Sequence, residues 1–168
     1  LTFFNSEVQD LLKNEPVKEI ELLSCNNYRP EGMTALLDAV GGSIDRIEKQ
    51  FTVELKNDEM SVVIVIITDG YENASKYFTY HMVAQKIVAL DETGKWTFSY
   101  LGADFDAIHT SKMMNIRKEN VMNFRKKQYG SMMHDLSDSI GVYAEEKQKG
   151  NLKRDILDIF EKKDRRND

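Results

Sequence analysis

Ser61–Asn73 reads SVVIVIITDGYEN, and its reading decides the fold. Six consecutive apolar residues, Val62–Ile67, run straight into Thr68-Asp69-Gly70. An apolar, β-branched run without alternation is the pattern of a parallel strand buried on both faces. In open α/β sheets ligands bind outside the carboxyl ends of the strands. Asp69 is therefore the first candidate site residue, although Asp-Gly is also a common turn pair.

Working outward, strands and helices alternate. Leu1–Phe4 reads as a short strand, and Val8–Val17 as a second one near a sheet edge, since Pro16 cannot donate to a ladder. Ile20–Gly32 is a long connection containing Asn26, Asn27, Pro30 and Gly32, all turn formers. Leu36, Leu37, Val40, Ile44 and Ile47 recur at helical spacing, and the interrupting Gly41-Gly42 is read as close helix–sheet packing. Phe51–Glu59 is a polar connection to the strand Met60–Thr68. Thr79 is placed to N-cap a helix with Val83, Ile87 and Leu90 on one stripe. Trp96–Leu101 is the next strand, Asp106 is placed to cap a helix through Met113 and Met114, and Val121–Phe124 is a last short strand. From Gln128 the pattern is helical. Met133, Leu136, Ile140 and Tyr143 share a face, Gly150 interrupts, and Leu152, Ile156, Ile159 and Phe160 form a second stripe before a fraying tail, Lys162–Asp168.

The expected fold is α/β, doubly wound around a mostly parallel sheet. Residues 1–125 form the α/β domain and residues 126–168 a helical C-terminal extension. Right-handed crossovers place every strand-to-helix loop on one edge, where the loops after Thr68 and Leu101 meet.

Composition narrows the function. The 168 residues are 41% apolar, enough for one domain with a core. No apolar run approaches the roughly 20 residues needed to cross a bilayer, so no membrane partner is expected. The formal net charge of −5 argues against general nucleic-acid binding, which needs clustered Lys and Arg. The single cysteine, Cys25, excludes an internal disulfide framework and suits a reducing, cytoplasmic compartment. His81, His109 and His134 lack the spacing of a zinc site. Gly94-Lys95 is followed by Trp96 and lacks the upstream glycine of a phosphate loop. No Gly-x-Ser-x-Gly nucleophile elbow occurs. The pairs Met113-Met114 and Met132-Met133 read as gap-filling core.

Candidate partners for Asp69 lie before the first long helix, in Gly32-Met33-Thr34-Ala35-Leu36. Gly32 allows a tight turn, and Thr34 presents a hydroxyl at the start of the helix. That hydroxyl has two readings, a helix cap without the reciprocal acid of a capping box or a neutral oxygen ligand for a hard cation. Glu72 and Asn73 add oxygen groups beside Asp69 and Gly70. Magnesium takes about six oxygen ligands, often waters held by one or two carboxylates.

Gly32-Met33-Thr34-Ala35-Leu36, Val65-Ile66-Ile67-Thr68-Asp69-Gly70 and Gly102-Ala103-Asp104-Phe105-Asp106-Ala107 together resemble the von Willebrand factor A domain. The run TDGYENAS is similar to that of its small bacterial and phage-type cytoplasmic members. The resemblance covers about residues 1–124. It implies a metal-ion-dependent adhesion site in which Thr34 and Asp69 are magnesium ligands, while Gly32, Gly70, Glu72 and Asn73 stand behind them or contact the partner. It implies no catalytic residue. The family's first loop, Asp-x-Ser-x-Ser, does not precede Thr34. Asp135-Leu136-Ser137-Asp138-Ser139 fits those letters but follows a polar lead-in and keeps helical spacing, so it is read as a coincidence. Asp104 and Asp106 are read as helix caps. Leu1–Phe4 resembles the family's second strand, so the expectation is a chain without its natural beginning, with magnesium weak or absent in the fragment. Removing a central strand leaves open ladders, so the expectation is either that the chain rearranges or pairs with a second copy or that the remaining strands close the gap directly.

The resulting expectation is a non-catalytic module that recognises an acidic side chain on a protein partner through magnesium. The alternatives are a metal-dependent phosphoryl-handling or hydrolytic enzyme using Asp69, and a structural domain whose metal site has decayed.

Overall fold

The computed structural model describes residues 1–11, 15–20, 32–103 and 106–149. Cys25, Asp104, most of the Ile20–Gly32 connection and the second C-terminal stripe lie outside them. A hairpin opens the chain, with β1 (Thr2–Phe4) antiparallel to β2 (Val8–Asp10). The long helix α1 (Leu36–Gln50) follows, then α2 (Thr52–Lys56), β3 (Val62–Thr68), α3 (Tyr80–Asp91), β4 (Trp96–Ala103), α4 (Asp106–Met113), β5 (Val121–Phe124) and α5 (Tyr129–Gln148).

β3, β4 and β5 form a parallel sheet in that order, with Thr68 level with Gly102 and Gly102 level with Asn123. Alternation along β3 divides its side chains between two cores. Val62 and Ile66 join Leu36, Leu37, Val40 and Ile44 of α1, Val83 and Ile87 of α3, and Trp96, Phe98 and Tyr100 of β4. Val65 and Ile67 face the other way, toward Leu101, Phe124 and the α5 residues Met132 and Leu136. Helices therefore cover both faces, and β4 is buried along nearly its whole length, including the polar Thr97 and Ser99 that alternate with its aromatic residues. The Tyr143 hydroxyl of α5 lies 3.0 Å from that of Thr97, giving the two buried polar groups each other.

The hairpin is not hydrogen-bonded to the parallel sheet; it forms a separate two-stranded sheet. It docks on α1 instead. Arg46 bridges to Asp10 at 2.8 Å and donates to the Thr2 hydroxyl at 3.1 Å, while Phe4 packs against the main core. Asn5, at the end of β1, accepts from the Ala35 N–H at 2.7 Å. The end of β1 thus lies at the start of α1.

Several expectations are corrected. The second strand stops at Asp10, not Val17. Val17–Glu19 is a 3-10 turn in which Glu19 donates to the Pro16 carbonyl, a turn that the fixed φ of proline favours. The connection Phe51–Glu59 contains α2, because the Thr52 hydroxyl donates to the Glu48 carbonyl at 2.6 Å and the helical path continues past Phe51. Gly41 does permit close packing, but against the Phe78 ring, which a Cβ would strike, and not against the sheet; Gly42 faces open space. Met132, not Met133, sits with Leu136 and Tyr143 on the buried face of α5. Likewise Met114 is buried and Met113 exposed, so each methionine pair contributes one core residue.

Leu136 is buried between α5 and the sheet. Leu136→Ala is expected to lower the unfolding free energy by about 2–5 kcal/mol, the usual range for truncating a packed leucine. Urea unfolding measures it, and a loss under about 0.5 kcal/mol, as for an exposed site, would show that α5 does not pack there.

Candidate functional site

The site lies where the parallel strands end. At the tip of β3 the Gly70 N–H donates to the Thr68 hydroxyl at 3.1 Å, which folds the chain over at Asp69. Gly70 then meets the segment before α1. A Cβ on Gly70 would stand 2.5 Å from the Thr34 hydroxyl oxygen, so this approach requires glycine. Thr34 and the loop that carries Asp69 are in direct contact.

A helix begins with amides that lack partners inside the helix. The N-cap residue of α1 is Ala35, and its side chain supplies no acceptor. The Thr34 hydroxyl, one residue earlier, is thus outside the capping position. The loop after β3 supplies the acceptors. Thr34 N–H donates to Asn73 Oδ1 at 2.7 Å, Leu37 N–H to Glu72 Oε2 at 2.9 Å, and Asp38 N–H to Ser75 Oγ at 3.0 Å. Asn73 N–H returns a bond to the Thr34 carbonyl at 3.1 Å. Glu72 Oε1 also accepts from Ala74 and Ser75 N–H, and the Ser75 hydroxyl donates to Oε2.

Asp38 completes the exchange. Its carboxylate accepts from the N–H groups of Lys76, Tyr77 and Phe78 at 2.7, 2.9 and 2.8 Å. Burial pushes its pKa up, but the three amide donors and the Lys76 charge outweigh that and hold it below the ordinary carboxylate value. Tyr80 is shifted the other way. Burial raises it, the nearby Glu72 charge adds to that, and a hydrogen bond with Thr110 opposes both.

The hairpin supports the same segment from the far side. Gly32 has φ +85°, a Cβ there would stand 2.9 Å from the Ser6 hydroxyl oxygen, and Met33 N–H donates to that oxygen at 3.1 Å. Thr34, Gly70, Glu72 and Asn73 are therefore brought together, Gly32 shapes the approach, and Asp69 stands between Thr68 and Gly70. Asp38, Ser75, Asn5 and Ser6 escaped the sequence reading. The one signal for Asp38 was an acid in the first turn of a helix, where the macrodipole favours it. Its real partners lie about 40 residues on, at Lys76 to Phe78.

Other candidates fall elsewhere. Asp135–Ser139 lies within α5, where the Ser139 hydroxyl donates to the Asp135 carbonyl. Asp106 is the first residue of α4. Thr79 caps α3, accepting from Met82 N–H at 3.3 Å. His81, His109 and His134 are exposed on three different helices.

A hard cation needs oxygen donors. Thr34 and Asp69 offer one neutral and one charged oxygen group, and among the described residues no three His, Cys, Asp or Glu side chains form a metal cage. A cation there would have to take most of its ligands from water. Comparison with protein-family models, curated proteins and solved structures finds no match.

Replacing Asp38 with asparagine removes the charge that three amides share. Asp38→Asn is expected to lower stability at neutral pH by about 1.5–3 kcal/mol, the range for hydrogen bonds to a charged group. Because the folded pKa is depressed, the Asp38 contribution is complete above the unfolded carboxylate pKa of about 3.9 and disappears as pH falls through the lower folded value. Urea unfolding over a pH series should therefore show the two proteins converging in acid. A constant difference at every pH would contradict the carboxylate's role.

Proposed function

We propose that this chain is a non-catalytic binding module of the von Willebrand factor A type, which recognises a carboxylate on a protein partner through a magnesium ion. The observation that carries this reading is the contact between the Thr34 hydroxyl and Gly70, the residue after Asp69. A hydroxyl outside the capping position of α1 stands against the turn that carries an acid at a parallel strand's tip. In this reading Thr34 and Asp69 are the residues that would hold the magnesium. The cation supplies positive charge to an incoming carboxylate, and no bond is broken.

The chain's own residues do the positioning. Gly70 permits the approach, the Thr68 hydroxyl folds the turn, and Asn73 and Glu72 fix Thr34 and α1 against the Asp69 loop. The topology supports the same reading at a finer level. Among the described residues β3 pairs only with β4, and in this reading its other side is where the family's first strand would lie. With few protein ligands, affinity for the ion is expected to be low.

Calorimetric titration with magnesium and manganese tests this. Saturable binding to the wild-type chain should be lost in Thr34→Ala, with the unfolding midpoint unchanged. A flat wild-type titration, or one that the substitution leaves untouched, would remove the reading.

A further inference from the structure

Exposed apolar side chains are unevenly distributed over this molecule. Among the described residues seven large ones are at least half exposed, and Leu1 and Val53 are two of them. The other five, Met33, Tyr71, Tyr77, Ile108 and Tyr129, lie on loops and first helical turns around one edge of the parallel sheet. Met33 and Tyr71 flank the contact between Thr34 and Gly70. Tyr77 sits over the first turn of α1, where its N–H meets Asp38. Ile108 is in the first turn of α4, and Tyr129 starts α5 with its ring set edge-on to Phe124, 6.2 Å between centroids. Aromatic residues and methionine are enriched where proteins meet, and a gathered set of exposed ones marks an interaction site.

The charges of this edge are sorted. Glu72 and Asp38 direct their carboxylates inward to backbone amides. Arg125, Lys126 and Lys127 leave the end of β5 as a basic run, and Arg125 and Lys127 are exposed, as is Lys76. The register puts Thr68, Gly102 and Asn123 in one row, so the basic run begins ~10 Å from the Asp69 turn, two strand spacings away. A chain whose formal net charge is −5 thus turns cationic groups outward beside its exposed aromatic rings.

We infer that this edge is a docking surface for an acidic protein segment that carries aromatic or aliphatic side chains. Arg125 and Lys127 meet the segment's carboxylates, while Tyr71, Tyr77 and Ile108 receive its apolar groups. The complementarity is built from the chain's own charges, so it goes beyond the magnesium reading and does not depend on it. A nucleic acid would also meet the basic run. The exposed aliphatic Met33 and Ile108 offer no face for base stacking and favour a protein segment.

The test measures fluorescence anisotropy of a labelled random copolymer of glutamate and tyrosine against the full chain in EDTA. The copolymer should bind, and polyglutamate should bind more weakly. The double variant Arg125→Glu/Lys127→Glu should weaken binding about tenfold, as expected where two steering charges are reversed. The neutral pair Arg125→Gln/Lys127→Gln should give a smaller loss. Lys56→Glu, on α2 at the opposite edge, should change nothing. Tyr71→Ser with Tyr77→Ser should reduce binding of the copolymer but not of polyglutamate. Thr34→Ala should retain copolymer binding in EDTA even if it abolishes metal binding, which separates the two readings. Absence of binding in EDTA, equal losses from Lys56→Glu and the double variant, or tighter binding of an oligothymidylate than of the copolymer would each overturn the inference.

Discussion

The arrangement of this molecule depends on a two-way exchange of hydrogen bonds between the start of α1 and the loop after β3. The amides at a helix N-terminus need acceptors from outside the helix. Here Asn73, Glu72 and Ser75 provide them, and Asp38 of the helix accepts from the loop in return. Neither partner is satisfied alone. The loop has no regular structure between Gly70 and Thr79, and it is held because its amides and side chains complete those of α1. Gly70 sets the closeness of the join, since any Cβ would displace the Thr34 hydroxyl.

That join connects the local chemistry to the two cores. α1 packs its apolar face on β3 and β4, holds the hairpin through Arg46, Asp10 and Thr2, and presents its first turn to the strand ends. A shift of α1 would therefore move Thr34 relative to Asp69. On the opposite face α5 covers Leu101 and Phe124, which completes the burial of β4. Lys147 near its end donates to the Gly94 carbonyl at 2.7 Å, at the start of that strand. Buried residues on both faces make the sheet a rigid base, and binding residues are commonly carried on loops so based.

The same interlock sorts charge. Carboxylates that accept several amide bonds are engaged within the fold, whereas Arg125 and Lys127 are exposed. This sorting, and not the overall charge, gives the edge its character. A carboxylate carrier is the common element of both functional readings. In one the cation is an ion held by Thr34 and Asp69, and in the other it is the side chains that follow β5.

The run Val62–Thr68 specified a buried parallel strand, because six apolar side chains in succession need cover on both faces. The spacing of Leu36, Val40 and Ile44 specified α1, and Thr79 its neighbour's cap, because helix periodicity and capping act over a few residues. The same local rules marked Gly32, Thr34, Asp69 and Gly70. They failed where partners are distant. Glu72 and Asn73 were marked as oxygen groups beside Asp69, but that they accept from the amides of Leu37 and Thr34, more than 30 residues earlier, came only with the fold. Asp38 was not singled out, since its three amide partners lie in the loop before α3. Gly41 faces a ring in a loop, and the choice of Met132 over Met133 turned on which side of α5 meets Leu101. The sequence by itself determined the three parallel strands, the long helices and the edge to which the candidate residues belong, since those follow from side-chain period and turn chemistry. Only the tertiary structure decided which carboxylates are turned inward and which glycine must lack a Cβ, because those depend on contacts between segments that the chain brings together only by folding.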